Sequence, residues 1–390
     1  MKYREDKISG NMLSILGMGC MRFPQVGGEA ERTVLKAIEG GVNFFDTAYI
    51  YPGSEKTLGG ILAKHNKRSE VFIATKMPIG MCKKYEDFDK FFDEQLYRLQ
   101  TDYVDYYFMH NIINMAQWDD VLALGIEKWV TEKKAAGKIR RIGFSYHGSG
   151  EEFPRVLDSF DWEFCMIQYN YYDENYQAGK NGLKAAASRG LPIFIMEPLL
   201  GGKLAAGLPP KAEAIFKAYD ANKTPAEWAL QWVWNHTEAT VVLSGMTNAG
   251  QAEANMKAAS SFVPLSEAEL ASYTDVVDVF RESFKVRCTS CNYCLPCPKN
   301  IDIPARLSAY NASYAQGYFA GLVMYFTGMG IMNKTPIWIN SCNNCGKCEK
   351  DCPQGIEIRK ELKKVGRRLE PRVLRGLIRV VKFIVNLRKP

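Results

Sequence analysis

From about residue 12 to residue 258 the chain repeats one rhythm, a short apolar, β-rich run followed by a longer stretch with helical periodicity. Eight runs predict strands, at Ser14–Gly17, Val42–Ala48, Val71–Lys76, Tyr103–His110, Ile139–Ser145, Cys165–Asn170, Pro192–Glu197 and Thr240–Gly245. Between them, segments such as Glu29–Gly40, Tyr85–Leu99, Ile126–Gly137, Gly182–Gly190 and Ala226–Asn235 read as helices. Strands that are apolar along nearly their whole length suit a parallel sheet covered on both faces. Eight such units in about 250 residues suit a closed α/β (β/α)8 TIM barrel. An open doubly wound sheet is the competing arrangement, but no Gly-x-Gly-x-x-Gly follows the first strand.

The 390 residues are long enough for one large domain, or for one large plus one small, since single cores stop growing near ~250–300 residues. A hydrophobic share of 47% and a mean hydropathy of −0.22 describe a globular chain. No apolar run reaches the roughly 20 residues that a spanning helix needs. The opening "MKYREDKISGN" lacks the apolar core of a secretory signal, and the expected location is cytoplasmic. Charge is concentrated at one end. Residues 359–390 carry twelve Lys or Arg and two Glu, so this tail holds net +10 of a chain whose total is +7, and the rest is mildly acidic.

Catalytic side chains of such barrels stand at the C-terminal ends of strands and in the loops beyond. Here the second strand ends on Asp46, with Tyr51 five residues on; the third ends on Lys76 and the fourth on His110. A phenol with pKa near ~10 is a poor acid at neutral pH, but a neighbouring ammonium favours its ionised form. The carboxylate would hold that ammonium, and the imidazole would orient a carbonyl oxygen beside the phenol. Such a set can protonate an oxygen while a hydride reaches the adjacent carbon.

Through "GVNFFDTAYIYPGSEKTLG", "IATK" and "DYYFMHN" the sequence resembles the aldo-keto reductases over roughly residues 12–258. The resemblance implies a barrel that binds NAD(P)H across its mouth, with Tyr51 as general acid, Lys76 and Asp46 tuning it, and His110 orienting the substrate. It also implies cofactor contacts from Gly19, Cys20, Met21, Asp46, Ser145, Gln168, Pro198, Leu199, Gly245, Gln251 and Asn255. Gly245 and Gln251 stand where phosphate-selective members usually carry cations, so strong preference for the phosphorylated cofactor is not expected. "SYHG" brings Tyr146 and His147 where an Asn is usual after the fifth strand, and the seventh strand's usual aromatic is replaced within "IMEPLLGG". His147 is a candidate second catalytic or redox-linked group, or a plain hydrogen-bond partner. Glu197 is a candidate for substrate binding or for satisfying backbone donors.

Eight of the eleven cysteines fall between residues 288 and 352. Cys288, Cys291, Cys294 and Cys297 form C-x2-C-x2-C-x2-C-P; Cys342, Cys345, Cys348 and Cys352 form C-x2-C-x2-C-x3-C-P, the spacing of bacterial ferredoxins. Zinc sites also use paired C-x2-C, but a zinc ribbon leaves no use for the third cysteine of each triplet. Eight thiolates make two sets of four, which points to two [4Fe–4S] clusters. By resemblance to two-cluster ferredoxins, one set is Cys288, Cys291, Cys294 and Cys352, and the other Cys342, Cys345, Cys348 and Cys297. The turns "KNIDIP" and "QGIEIR" that follow give the region an internal pseudo-repeat.

The expected organisation is a barrel over 1–265, a helical linker over 266–285, a ferredoxin-like domain over 286–358 and a basic amphipathic tail over 359–390. In that tail Arg372, Arg375, Arg379 and Lys382 share one helical face, suited to an anionic membrane surface, to an acidic partner or to this protein's own surface. Nucleic acid is not expected, since no recognition motif is present. The leading expectation is an oxidoreductase acting on a small carbonyl or alcohol, with clusters exchanging electrons with a partner protein or redox centre. Its rivals are a carbonyl reductase with structural clusters and a nucleotide-binding redox-sensing or electron-transfer subunit.

Overall fold

A computed structural model describes residues 1–23, 28–328 and 337–371. Its strands, in chain order, are β1 (Tyr3–Glu5), β2 (Met12–Ser14), β3 (Leu16–Gly19), β4 (Phe44–Asp46), β5 (Phe72–Met77), β6 (Val104–Ile112), β7 (Ile139–Tyr146), β8 (Phe164–Gln168), β9 (Ile193–Met196) and β10 (Ala239–Ser244). Strands β3 to β10 pair in parallel and close on themselves in the order β10-β3-β4-β5-β6-β7-β8-β9. This is the expected eight-stranded barrel, with helices such as Glu29–Glu39, Ser54–Lys64 and Glu86–Leu99 between successive strands. The basic residues Arg372, Arg375, Arg379 and Lys382 lie outside the described residues.

The antiparallel hairpin β1–β2 has no counterpart among the expected strands. After β1 the buried Asp6 accepts hydrogen bonds from the amides of Ile8 and Ser9 and from the hydroxyl of Tyr106, which projects from β6. Three-residue strands carry too little periodicity to be read from sequence.

The barrel is filled by aromatic rings. Phe44, Tyr106, Phe108, Phe164 and Phe194 form one buried cluster with Leu13, Ala74, Met166, Val241 and Leu243. Phe44 and Phe194 stack with centroids 4.6 Å apart. Gly143 makes room for this filling, because a Cβ there would lie 2.3 Å from the Phe164 ring.

Two compact units divide the chain: residues 1–200 with 223–270, and residues 201–222 with 271–390. The segment after β9, including the helix Pro210–Tyr219, therefore groups with the cysteine-rich region. In that second unit the helices Ile303–Ala315 and Ile358–Leu369 bury Ile303, Leu307, Tyr310, Ile358, Leu362 and Val365 around one core, with six of the cysteines against it or within it. Buried Asn311 pins the chain that enters the first cysteine motif, accepting from the amides of Lys285 and Val286 and donating to Val286 O. Among the described residues no helix is long and apolar enough to cross a membrane.

Candidate functional site

The barrel's register sets the geometry at its mouth. Asp46 is level with Ala74 on β5, and Lys76, two residues beyond Ala74, is level with Phe108 on β6. His110 lies two residues beyond Phe108. Side chains two apart point to one face of a strand, so Asp46, Lys76 and His110 form a rising diagonal along the stagger of the barrel. Lys76 Nζ donates to Asp46 Oδ1 at 2.5 Å and to Thr47 O at 2.7 Å. The loop after β4 brings Tyr51 over this pair, with Lys76 Nζ 5.1 Å from its ring centroid. The Tyr51 and His110 rings stand edge-on, 5.9 Å apart.

Burial dominates the electrostatics. It pushes the Asp46 carboxyl up and the Lys76 ammonium down, and the ion pair works against both shifts. Burial, then the charges of Lys76 and His147, holds His110 well below the usual imidazole range. Burial pushes His147 down to about 4, opposed by a hydrogen bond with Gln177. Both imidazoles are therefore neutral at neutral pH, and a neutral imidazole has one N–H to give and one lone pair to accept.

A buried network behind Lys76 was not legible in the sequence. Glu55 is 1% exposed and accepts from Thr75 Oγ1 at 2.6 Å, Gln95 Nε2 at 2.8 Å and Arg98 Nη1 at 3.1 Å. Gln95 also donates to Lys76 O and accepts from Tyr107 Oη. These residues fix the β5 backbone that carries Lys76 and the helix that follows Tyr51. Nothing in the sequence set Glu55 apart from the other acidic residues.

The remaining expected cofactor contacts ring the same end of the barrel. Ser145 Oγ accepts from the Asn111 amide at 2.8 Å, Gln168 Nε2 donates to Asp173 Oδ2 at 3.2 Å, and Asn255 Nδ2 donates to Ser244 Oγ at 3.0 Å. Gly19 and Gly245 lie side by side at the ends of the paired strands β3 and β10; a Cβ on Gly245 would meet only Gly19 O, at 3.9 Å. Buried Cys20 and half-buried Met21 form the short turn after β3, and Pro198 and Leu199 the turn after β9. Gln251 turns back on its own loop, accepting from the Thr247 amide at 2.9 Å. Asn111, held at φ 63°, keeps its Oδ1 buried with no hydrogen-bond partner, an acceptor suited to an amide donor of a ligand.

In the second unit, Cys352 joins the first motif in space. Cys288, Cys291, Cys294 and Cys352 line one pocket together with Pro353 and Ile303. Burial, then the neighbouring thiols of Cys288, Cys291 and Cys352, pushes Cys294 up to about 12. Cys348 is pushed up to about 11 by burial, Glu349 and the nearby Cys342 and Cys297. Thiols gathered this closely resist ionisation until a cation shares their charge. Among the described residues no three His, Cys, Asp or Glu converge on one ion. A cluster makes no such demand, because each thiolate binds a different iron.

The backbone repeats as well. The residues just before and after the second cysteine of each motif have positive φ, Ser290 (56°) and Asn292 (69°) in the first, Asn344 (57°) and Gly346 (77°) in the second. Three residues past each fourth cysteine stand Asn300 (55°) and Gly355 (56°), whose amides close equivalent turns onto Cys297 O at 2.8 Å and Cys352 O at 3.1 Å. A helix begins three residues later in both halves, at Ile303 and Ile358. Gly occupies such positions at no steric cost and Asn more readily than most residues, so Ser290 is the costly one of the six.

Comparison with known proteins places these features. Residues 15–278 match the profile described as the aldo/keto reductase family, and residues 287–357 that of the 4Fe-4S dicluster domain. The chain is 30% identical over 284 residues to L-galactose dehydrogenase of Arabidopsis thaliana, spanning 66% of this chain and 88% of that one. It is 26% identical over 275 residues to 6-dehydroglucose reductase of Novosphingobium aromaticivorans, spanning 64% and 87%. The holo form of an aldo-keto reductase from Bacillus halodurans superposes with a TM-score of 0.60 at 25% identity, covering 71% of this chain and 96% of that one.

Proposed function

Because this chain belongs to the aldo/keto reductase family and carries a 4Fe-4S dicluster domain after its barrel, we propose that it interconverts a carbonyl and an alcohol with a nicotinamide cofactor and exchanges single electrons through two iron–sulfur clusters. When bound, the nicotinamide would supply or accept the hydride and the clusters would supply one-electron chemistry. The observation that carries the barrel reading is the ion pair of Lys76 and Asp46 beneath the Tyr51 ring, with His110 edge-on beside it.

In this reading the Tyr51 hydroxyl gives its proton to the substrate oxygen in reduction and recovers it in oxidation. Lys76, held by Asp46 and Thr47 O, faces the ring and stabilises the phenolate left behind. Neutral His110 donates one N–H to the same oxygen and orients it. Ser145, Gln168 and Asn111 offer acceptors and donors to a carboxamide. Gly19, Cys20, Met21, Pro198, Leu199, Gly245, Gln251 and Asn255 would hold the rest of the dinucleotide. Cys288, Cys291, Cys294 and Cys352 would hold one cluster and Cys342, Cys345, Cys348 and Cys297 the other. Two of the relatives are named for sugar substrates, which directs the first substrate screen to sugars.

Tyr51→Phe tests the reading. Turnover on a carbonyl substrate should fall by roughly 10²–10⁴ while nucleotide affinity stays nearly intact; unchanged turnover would overturn it. Reduced-minus-oxidised spectra of the clusters, taken with and without NADH or NADPH, test the electron exchange.

A further inference from the structure

The two cysteine groups differ in what surrounds them. Cys288 is buried, and the pocket it shares with Cys291, Cys294 and Cys352 is walled by Ile303, Leu307, Ile356 and Ile358. The second motif reaches the surface. Cys345 is exposed, and Cys342 and Asn344 line an open groove whose far wall is the helix Ile358–Leu369.

That helix carries six cations and one carboxylate. Arg368 is turned inward, donating to Ser313 Oγ and stacking on Tyr314. Arg359 is paired with Glu349, Lys360 with Glu357 and Lys364 with Glu361. Lys363 and Arg367, one helical turn apart, are exposed in the groove and have no carboxylate partner among the described residues. Among the described residues the one carboxylate in the groove, Glu370, is buried, accepting from Tyr325 Oη and the Ile339 amide. Its charge is turned toward the interior.

We infer that this groove is the docking face for a small acidic one-electron carrier protein, which exchanges electrons through the cluster held by the second motif. The inference rests on the proposal that the clusters carry electrons. The partner's class follows from charge: Lys363 and Arg367 share their groove with the half-buried Cys342, so they attract an acidic surface to the cluster that Cys342 would hold and shorten the electron's path once it docks. The step is a transfer of one electron, with one cluster reduced as one carrier is oxidised, or the reverse.

The test uses the full-length holoprotein and two reductants, a purified acidic bacterial ferredoxin in its reduced form and reduced methyl viologen, a small radical monocation that needs no docking face. At low ionic strength, Lys363→Glu with Arg367→Glu should slow cluster reduction by ferredoxin at least about tenfold, and added salt should remove the difference. Reduction by the viologen should not slow. The pair Lys128→Glu and Lys184→Glu, both on exposed helix positions of the first unit, should leave the ferredoxin rate unchanged. Equal ferredoxin rates for the groove variant and the wild type, or equal slowing by the control pair, overturn the docking face while leaving the electron-carrier reading intact. Clusters that the viologen cannot reduce in the wild type overturn that reading, and the docking face with it.

Discussion

Lys76 Nζ and Asp46 Oδ1 lie 2.5 Å apart with both residues buried, one on each of two adjacent barrel strands. Removing one partner of such a pair leaves an uncompensated buried charge. Lys76→Met should therefore lower stability by about 3–5 kcal/mol in denaturant unfolding, and Asp46→Asn combined with Lys76→Met should recover part of the loss. A double variant no more stable than Lys76→Met would count against an ionised pair.

Gln95 connects Lys76 O, Glu55, Thr75 and Tyr107 while being fully buried. Gln95→Leu should cost about 1–3 kcal/mol, because the Tyr107 hydroxyl loses its acceptor and Glu55 one of its donors. The same variant should lower turnover less than Tyr51→Phe does, since Gln95 acts only through the placement of Lys76. Chemical denaturation and steady-state kinetics on one preparation check both halves.

His147 has its folded-state pKa depressed to about 4, below the usual imidazole value of 6.5. Between those values the unfolded chain binds the proton that the folded chain refuses, so stability is full above about pH 6.5 and falls as the pH drops toward 4. His147→Gln should shrink the loss of unfolding midpoint between pH 7 and pH 5. An identical loss in both proteins would show that His147 is not held neutral by the fold.

Cys352 lines one pocket with Cys288, Cys291 and Cys294. Each of Cys288→Ser and Cys352→Ser should remove about half of the iron, and the double variant no more than either alone. Cys288→Ser with Cys297→Ser should remove nearly all. Iron and sulfide analysis after anaerobic purification checks this, and additive losses for Cys288 and Cys352 would refute the grouping.

The eight barrel strands were legible because each is an apolar run of one element's length, a property of consecutive residues. Asp46, Tyr51, Lys76 and His110 were legible because strand ends of a barrel face one mouth, so position along each run specified position in space. The cysteine motifs were legible as spacing; the left-handed backbone at Asn292, Asn300 and Asn344 that shapes them was not.

What the sequence alone determined about this protein is thus periodic or local: alternating units, strand-end chemistry, and two thiol motifs with matching turns. The tertiary structure decided what depends on contacts between distant segments. It joined Asp6 to Tyr106, built the Glu55, Thr75 and Gln95 network behind Lys76, and grouped residues 201–222 with the second unit. Such contacts leave no periodic trace, because any of many polar residues could make them and only the closed backbone selects which ones meet.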